Sequence, residues 1–329
     1  MDADCTNIER RRVLRAAGAA VAALSLPARA DTFPSHPVKL IIPYPPGGAG
    51  DIVGRLLGVK LGQVLGQPVV IDNRGGGAQV IATELTAHAP PDGYTIFLAS
   101  TTHSINPALR KLPYDTLNDF TPITLVASSP LVFVAHPSLG VSSIQELVAK
   151  AKKEPGKINY GSSGPGTGGH LSVELLKSMA GIDLVHVPYK GAAPALTDLI
   201  AGQVQLVCTS PLPAMPYVKS GQLRALALTS VKRSALWPDI PTVAESGYPG
   251  YQSTLWYALL GPAHLPPAVA SALYDASVKS LHTPELKEQL RVQGAEAIGD
   301  TPQALQAFLR EEIDRWGNVI RTAHITSTE

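Results

Sequence analysis

The sequence predicts a two-lobed α/β protein, and two observations carry that prediction. Extended apolar runs alternate with amphipathic runs along most of the chain, the pattern that parallel strands with crossover helices require. The second observation is order: one α/β set is followed by another, and the chain then returns with a strand and three helical stretches after Leu255. Lobes joined by more than one crossing can close on each other by hinge bending. The expected division is residues 31–133 with 253–329 in one lobe and 134–252 as an inserted second lobe, after a leader of residues 1–30.

Each element follows from local pattern. Val38 to Ile42 is β-branched and apolar, and Pro43, Pro45 and Pro46 end it because none can donate to a ladder. Ile52 to Leu65 reads as a helix, Val69 to Ile71 as a strand, Gln79 to His88 as a helix and Thr95 to Ala99 as a strand. Ile123 to Ala127 and Leu131 to Ala135 are strand-like, with Ser128-Ser129-Pro130 between them as the crossing to the second lobe. There follow helix Ile144 to Lys153, strand Ile158 to Tyr160, helix Leu171 to Ala180, strand Leu184 to Val187 and helix Pro194 to Ala201. Strand Val204 to Cys208, helix Met215 to Lys219 and strand Leu223 to Leu228 complete this lobe. Beyond strand Tyr257 to Leu260, the last helix, Gln303 to Arg321, carries Leu305, Phe308, Leu309, Ile313, Trp316 and Ile320 at helical spacing, a core face.

Composition narrows the function. Charged residues are 16% of the 329, aromatics 5% and net charge +1, so no basic field for nucleic acid is present. Arg10-Arg11-Arg12-Val13-Leu14-Arg15, the short apolar run Ala16 to Leu26 and Ala28-Arg29-Ala30 read as a twin-arginine-like signal peptide cleaved after Ala30. That run is short of the ~20 residues that span a bilayer, so cleavage would release the protein into the periplasm. Losing five Arg, two Asp and one Glu with the leader brings the net charge to about −1. Only Cys208 would remain, so no intramolecular disulfide can form.

Two glycine loops stand between an extended run and a helix. In the first, Gly47-Gly48-Ala49-Gly50, Asp51 reads as the N-cap and pairs with Arg55 one turn on. The second is Gly161-Ser162-Ser163-Gly164-Pro165-Gly166-Thr167-Gly168-Gly169-His170. Backbone N–H groups at helix starts favour a small anion, and two such loops across a cleft suit a ligand with two acidic ends. No metal motif, phosphate loop or nucleophile elbow is present, and no cofactor is called for. A triad of Ser162 or Ser163 with His170 or His186 stays open, triads being spatial.

Pro46-Gly47-Gly48-x-x-Asp51-x-x-x-Arg55, Leu65-Gly66-Gln67-Pro68-Val69-Val70, Pro91-Asp92-Gly93-Tyr94-Thr95, Ile105-Asn106-Pro107-Ala108-Leu109, Asn159-Tyr160-Gly161-Ser162-Ser163-Gly164, Val185-His186-Val187-Pro188-Tyr189-Lys190-Gly191 and Pro241-Thr242-Val243-Ala244-Glu245 resemble, in register, the Bug family. These are extracytoplasmic solute receptors of tripartite tricarboxylate transporters. The resemblance implies a type II periplasmic binding fold, no catalysis, and a small carboxylate held by backbone N–H groups, hydroxyls and waters rather than an arginine clamp. It also implies delivery to a membrane permease by a monomeric receptor. A ligand sensor acting on a membrane signalling protein is the alternative, and a secreted serine hydrolase a further one.

Carried over residue by residue, the resemblance places Gly47, Gly48, Ala49 and Asp51 at the cleft. Thr101, Thr102 and His103 follow from a loop after the third strand, and Ser163, Gly166, Thr167, His170, Tyr189, Lys190, Gly191 and Thr209 from the second lobe. Structural readings stand beside these: Asp51 as a cap, His170 and Tyr189 as packed residues, Lys190 as a solvated charge. Gln205 and Cys208-Thr209-Ser210 occupy positions where the family often has aspartate, which favours a plain carboxylate over an amino acid.

Overall fold

The computed structural model describes residues 33–47, 49–189 and 191–326. The proposed leader therefore lies outside the described residues, as do Gly48 and Lys190. Two sheets organise the chain. The first has six strands in the order β11-β4-β10-β3-β1-β2, where β1 is Val38–Ile42, β2 Val69–Asn73, β3 Thr95–Ser100, β4 Phe120–Pro130, β10 Thr254–Pro262 and β11 Glu296–Ala297. The second has five, β7-β6-β8-β5-β9, with β5 Val132–Ala135, β6 Asn159–Ser162, β7 Val185–Pro188, β8 Leu206–Thr209 and β9 Arg224–Leu228. The structure thus has the two-lobed α/β architecture expected from the alternation and order of elements. Each sheet contains three mutually parallel strands, β2-β1-β3 and β7-β6-β8. The strands at the passages between lobes are antiparallel: β10 to β3 and β4, and β5 to β8 and β9.

The first passage is shorter than the sequence suggests. Ser128-Ser129-Pro130 continues β4, paired with Trp256, Leu255 and Thr254, and only Leu131 separates it from β5. Proline is tolerated because it closes the strand, where a missing N–H costs no interior ladder bond.

The helices are α1 Ala49–Leu65, α2 Val80–Ala87, α3 Thr101–Leu109, α4 Ile144–Lys153, α5 Gly168–Ala180, α6 Ala192–Ile200, α7 Pro211–Lys219, α8 Pro267–Leu281, α9 Pro284–Val292 and α10 Pro302–Thr322. α1 and α5 each begin three residues earlier than expected, and two others differ more. Residues 101–103 form no loop: β3 ends at Ser100, whose extended backbone turns directly into α3. And α7 begins four residues early, because Pro211 and Pro213 lie in the first turn, where backbone N–H groups have no intrahelical acceptor.

The stripe on α10 divides between two cores. Leu305 and Leu309 pack with Phe97 and Trp256 of the first sheet, whereas Trp316, Val319 and Ile320 join Leu171 and Leu175 from α5. Glu312 lies between them with its carboxylate buried, and Oε2 accepts from the indole N–H of both Trp256 and Trp316 at 2.9 Å. Burial raises its pKa against the opposing Arg315 charge. One helix thereby ties β10, beneath the cleft, to the second lobe.

Candidate functional site

A cavity of about 480 Å³ opens between the lobes, within the usual range for small-molecule sites. It lies where open α/β sheets bind ligands, outside the carboxyl ends of β1, β3 and β6. The first lobe contributes Tyr44, Gln79, Ser100, Thr101, Thr102, Asn106 and Arg110, and the second Ser163, Gly166, Thr167 and Gly168. Leu255, Trp256 and Tyr257 of β10 form part of the wall.

Two helix starts meet there, and neither is capped by its own side chain. Ser100 precedes α3 and Thr167 precedes α5, residue types that ordinarily bond to first-turn N–H groups. Elsewhere Ser143 caps α4, Thr283 caps α9 and Thr301 caps α10, whereas Ser210 ahead of α7 makes no cap bond. At the cavity the hydroxyls are turned to other work. Thr167 Oγ1 donates to the Gly164 carbonyl at 2.7 Å, holding the second glycine loop. Ser100 Oγ donates to Gln79 Oε1 at 3.0 Å. Both helix starts therefore keep their positive dipole ends free of a side-chain cap.

Ser100 belongs to a closed ring. Tyr44 donates its hydroxyl to Ser100 Oγ at 2.8 Å, and Gln79 Nε2 donates to Tyr44 Oη at 2.9 Å. Burial holds the Tyr44 phenol protonated against two opposing hydrogen bonds. Gln79 and Ala78 reach this place with φ of +74° and +49°, a conformation that costs a non-glycine residue energy and clusters at ligand sites. Asn106 Nδ2 secures the strained loop by donating to the Ala78 carbonyl at 2.8 Å.

Of the residues predicted for the site, Thr101, Thr102, Ser163, Gly166 and Thr167 line the cavity together. The others lie around or below it. Asp51 is the third residue of α1, not its N-cap. Its buried carboxylate accepts from Gly47 N–H at 2.8 Å, Arg55 Nε at 2.9 Å and Asn73 Nδ2 at 2.8 Å. The Arg55 bond above all lowers its pKa to about 2. It pins the loop carrying Gly47, with Ala49 at the start of α1, and none of the three lines the cavity.

His103 is buried in an aromatic cluster with Phe97, Tyr114 and Phe120, and its Nε2 lies 3.0 Å from the Thr116 carbonyl. Burial lowers its pKa to about 4, so the ring is neutral and Nε2–H donates. His170 is stacked on His186 at 4.0 Å and accepts the Gly166 N–H at Nδ1, with burial lowering its pKa to about 3. It shapes the second loop from below. Tyr189 donates to Asp198 at 2.7 Å, Gly191 precedes α6, and Thr209 is buried opposite Val132 in the sheet.

Ser162 Oγ lies 2.6 Å from His186 Nε2, the contact a hydrolytic dyad would need. The serine is buried, absent from the cavity wall and committed on both sides of its loop, accepting Gly164 N–H at 3.1 Å and lying 3.2 Å from the Gly164 carbonyl. Among the described residues no carboxylate bonds to the other His186 nitrogen, so the pair braces the loop.

Sequence reasoning passed over Tyr44, Gln79, Ser100, Asn106 and Arg110. A signal existed for the strained loop: Gly75-Gly76-Gly77 is a third glycine run just ahead of it.

A family model described as "Tripartite tricarboxylate transporter family receptor" matches residues 53–325. Protein BugT of Bordetella pertussis is 36% identical over 305 residues, covering 92% of this chain and 94% of its own. The structure of Rhodopseudomonas palustris Rpa4515 with adipate is 36% identical at a TM-score of 0.73, covering 89% of this chain and 99% of that one. MatC from the same organism, with bound malate, is 31% identical at 0.71, covering 88% and 100%.

Proposed function

The chain belongs to the tripartite tricarboxylate transporter family of receptors, and from that premise we propose that it captures a small carboxylate in the interlobe cleft and presents it to a membrane permease. Members of the family are periplasmic binding proteins without catalysis, and the fold is the two-lobed one. The observation that carries the ligand class is the pair of uncapped helix starts, α3 from one lobe and α5 from the other, aimed at one cavity. A carboxylate there supplies the acceptors that Ser100 and Thr167 withhold, and the peptide dipoles stabilise its charge. Adipate and malate in relatives 36% and 31% identical are of that class.

Because the two helix starts belong to different lobes, an acid touching both favours the closed arrangement by its differential contacts. Export after cleavage at Ala30 and action as a monomer complete the proposal. A thermal-shift screen of the mature protein against mono-, di- and tricarboxylates, acidic amino acids and aromatic acids tests it. A ligand at a hundred times its Kd adds about 2.7 kcal/mol, several degrees of Tm. No shift with any acid, together with no acid released on denaturation, refutes the reading.

A further inference from the structure

A second cavity between the lobes, of about 500 Å³, is of small-molecule size. Residues 230–236, which follow β9, wall it from the second lobe, and β4, β11 and α9 from the first. β9 and β11 are edge strands on the side of the interlobe crossing away from β1, β3 and β6. No residue lines both this cavity and the cleft.

Strand register builds one wall. Pro130 pairs with Thr254, and Ser128 with both Trp256 and Glu296. Paired residues carry their side chains on one face of the sheet. Here it is the face on which Phe308 of α10 meets the Trp256 ring at 5.5 Å. Leu125, Pro130, Ala295 and Phe308 give the cavity an apolar lining, and Val231, opposite them on the second-lobe loop, is 51% exposed.

The charges around this lining do not balance. Lys232 and Arg233 come from the second lobe, Lys287 and Arg291 stand one turn apart on α9, and Glu296 is the one carboxylate among the described residues lining the cavity. Arg233 is paired with Glu245 at 2.9 Å and Arg291 with Glu288 at 2.6 Å. Lys232 and Lys287, one from each lobe, enter no ion pair among the described residues. Glu296, unpaired as well, offsets one of them, so the excess is positive. In a chain of net charge +1 that excess is local, and an apolar wall beside it strengthens its field.

We infer that this cavity is a second ligand site, separate from the cleft, for an organic anion with an apolar body whose acid group lies between Lys232 and Lys287. The apolar body covers the sheet face and Phe308, and the acid group meets a lysine from each lobe. The inference does not rest on the carboxylate reading of the cleft.

Fluorescence titration of the mature protein with 8-anilinonaphthalene-1-sulfonate, and with its uncharged parent N-phenyl-1-naphthylamine, tests it. The sulfonate is expected to bind at one site about tenfold more tightly than the parent, and K232Q/K287Q to lose most of that preference, as exposed ion pairs are individually modest. A235W fills the cavity from an exposed position and is expected to abolish binding of both probes. Thr167→Asp, in the cleft, should leave both affinities within twofold of wild type. Far-ultraviolet circular dichroism and Tm establish that each variant folds; should A235W not fold, the lysine pair carries the test. Equal affinity of wild type for the two probes, or a preference intact in K232Q/K287Q, overturns the inference. Binding lost in Thr167→Asp and kept in A235W places the anion in the cleft and also overturns it.

Discussion

Supplying the missing cap separates stability from binding. In Thr167→Asp the new carboxylate sits at an N-cap whose φ of −76° and ψ of 159° already suit it. The cap contributes about 1 kcal/mol and the helix dipole about 0.5 kcal/mol. Loss of the 2.7 Å bond from Thr167 to the Gly164 carbonyl costs about 1 kcal/mol. These nearly cancel, so Tm is expected to stay within about 3 °C. Binding should not survive. Two carboxylates about 5 Å apart at an effective dielectric of about 20 repel by about 3 kcal/mol, a Kd increase of roughly 200-fold, before counting the N–H groups the new cap occupies. Titration with the acid found in the screen, at 0.05 M and 0.5 M salt, measures it. Affinity within threefold of wild type, in a protein of unchanged Tm, would show that the start of α5 does not hold the ligand.

Three further outcomes follow from the packing. In Gly169→Ala the new Cβ would lie 2.3 Å from the carbonyl oxygen of Cys208, a backbone atom that cannot swing aside, so a loss of about 1–3 kcal/mol is expected by chemical denaturation; wild-type stability would mean that α5 and β8 separate freely. Asp51→Asn should lower Tm at pH 7 by several degrees, since the carboxylate accepts three hydrogen bonds, one from a guanidinium. Its folded pKa of about 2 is depressed from 3.8, so the contribution is whole above pH 3.8 and fades as pH falls through 2. A deficit equal at pH 7 and pH 2 contradicts this. His103, held neutral with a folded pKa of about 4, stabilises fully above pH 6.5 and progressively less from there down to about 4. His103→Phe, which loses the bond to Thr116 but keeps the edge-to-face contact with Phe120, should therefore close its stability gap with wild type on acidification; a gap that widens below pH 6 is the wrong sign.

What the chain could say of itself was local. Alternating apolar runs, the prolines that stop β1 and the helical stripe of α10 are read from neighbours in sequence, because period and turn chemistry act over a few residues. The glycine loops were legible for the same reason, since a helix start carries its anion-binding character wherever it lies. Tertiary packing decided which polar groups face the cleft. Ser100 and Thr167 have cap sequences, and only the distant Gln79 and the turn back to Gly164 show that their hydroxyls are withheld from the helix starts they precede. His103 and His170 look like ligand residues until burial accounts for both rings, and Arg110 looks like a surface charge until the cavity forms beside it. Hydrogen-bond partners and burial are set by contacts between residues far apart in the chain, and no local pattern records them.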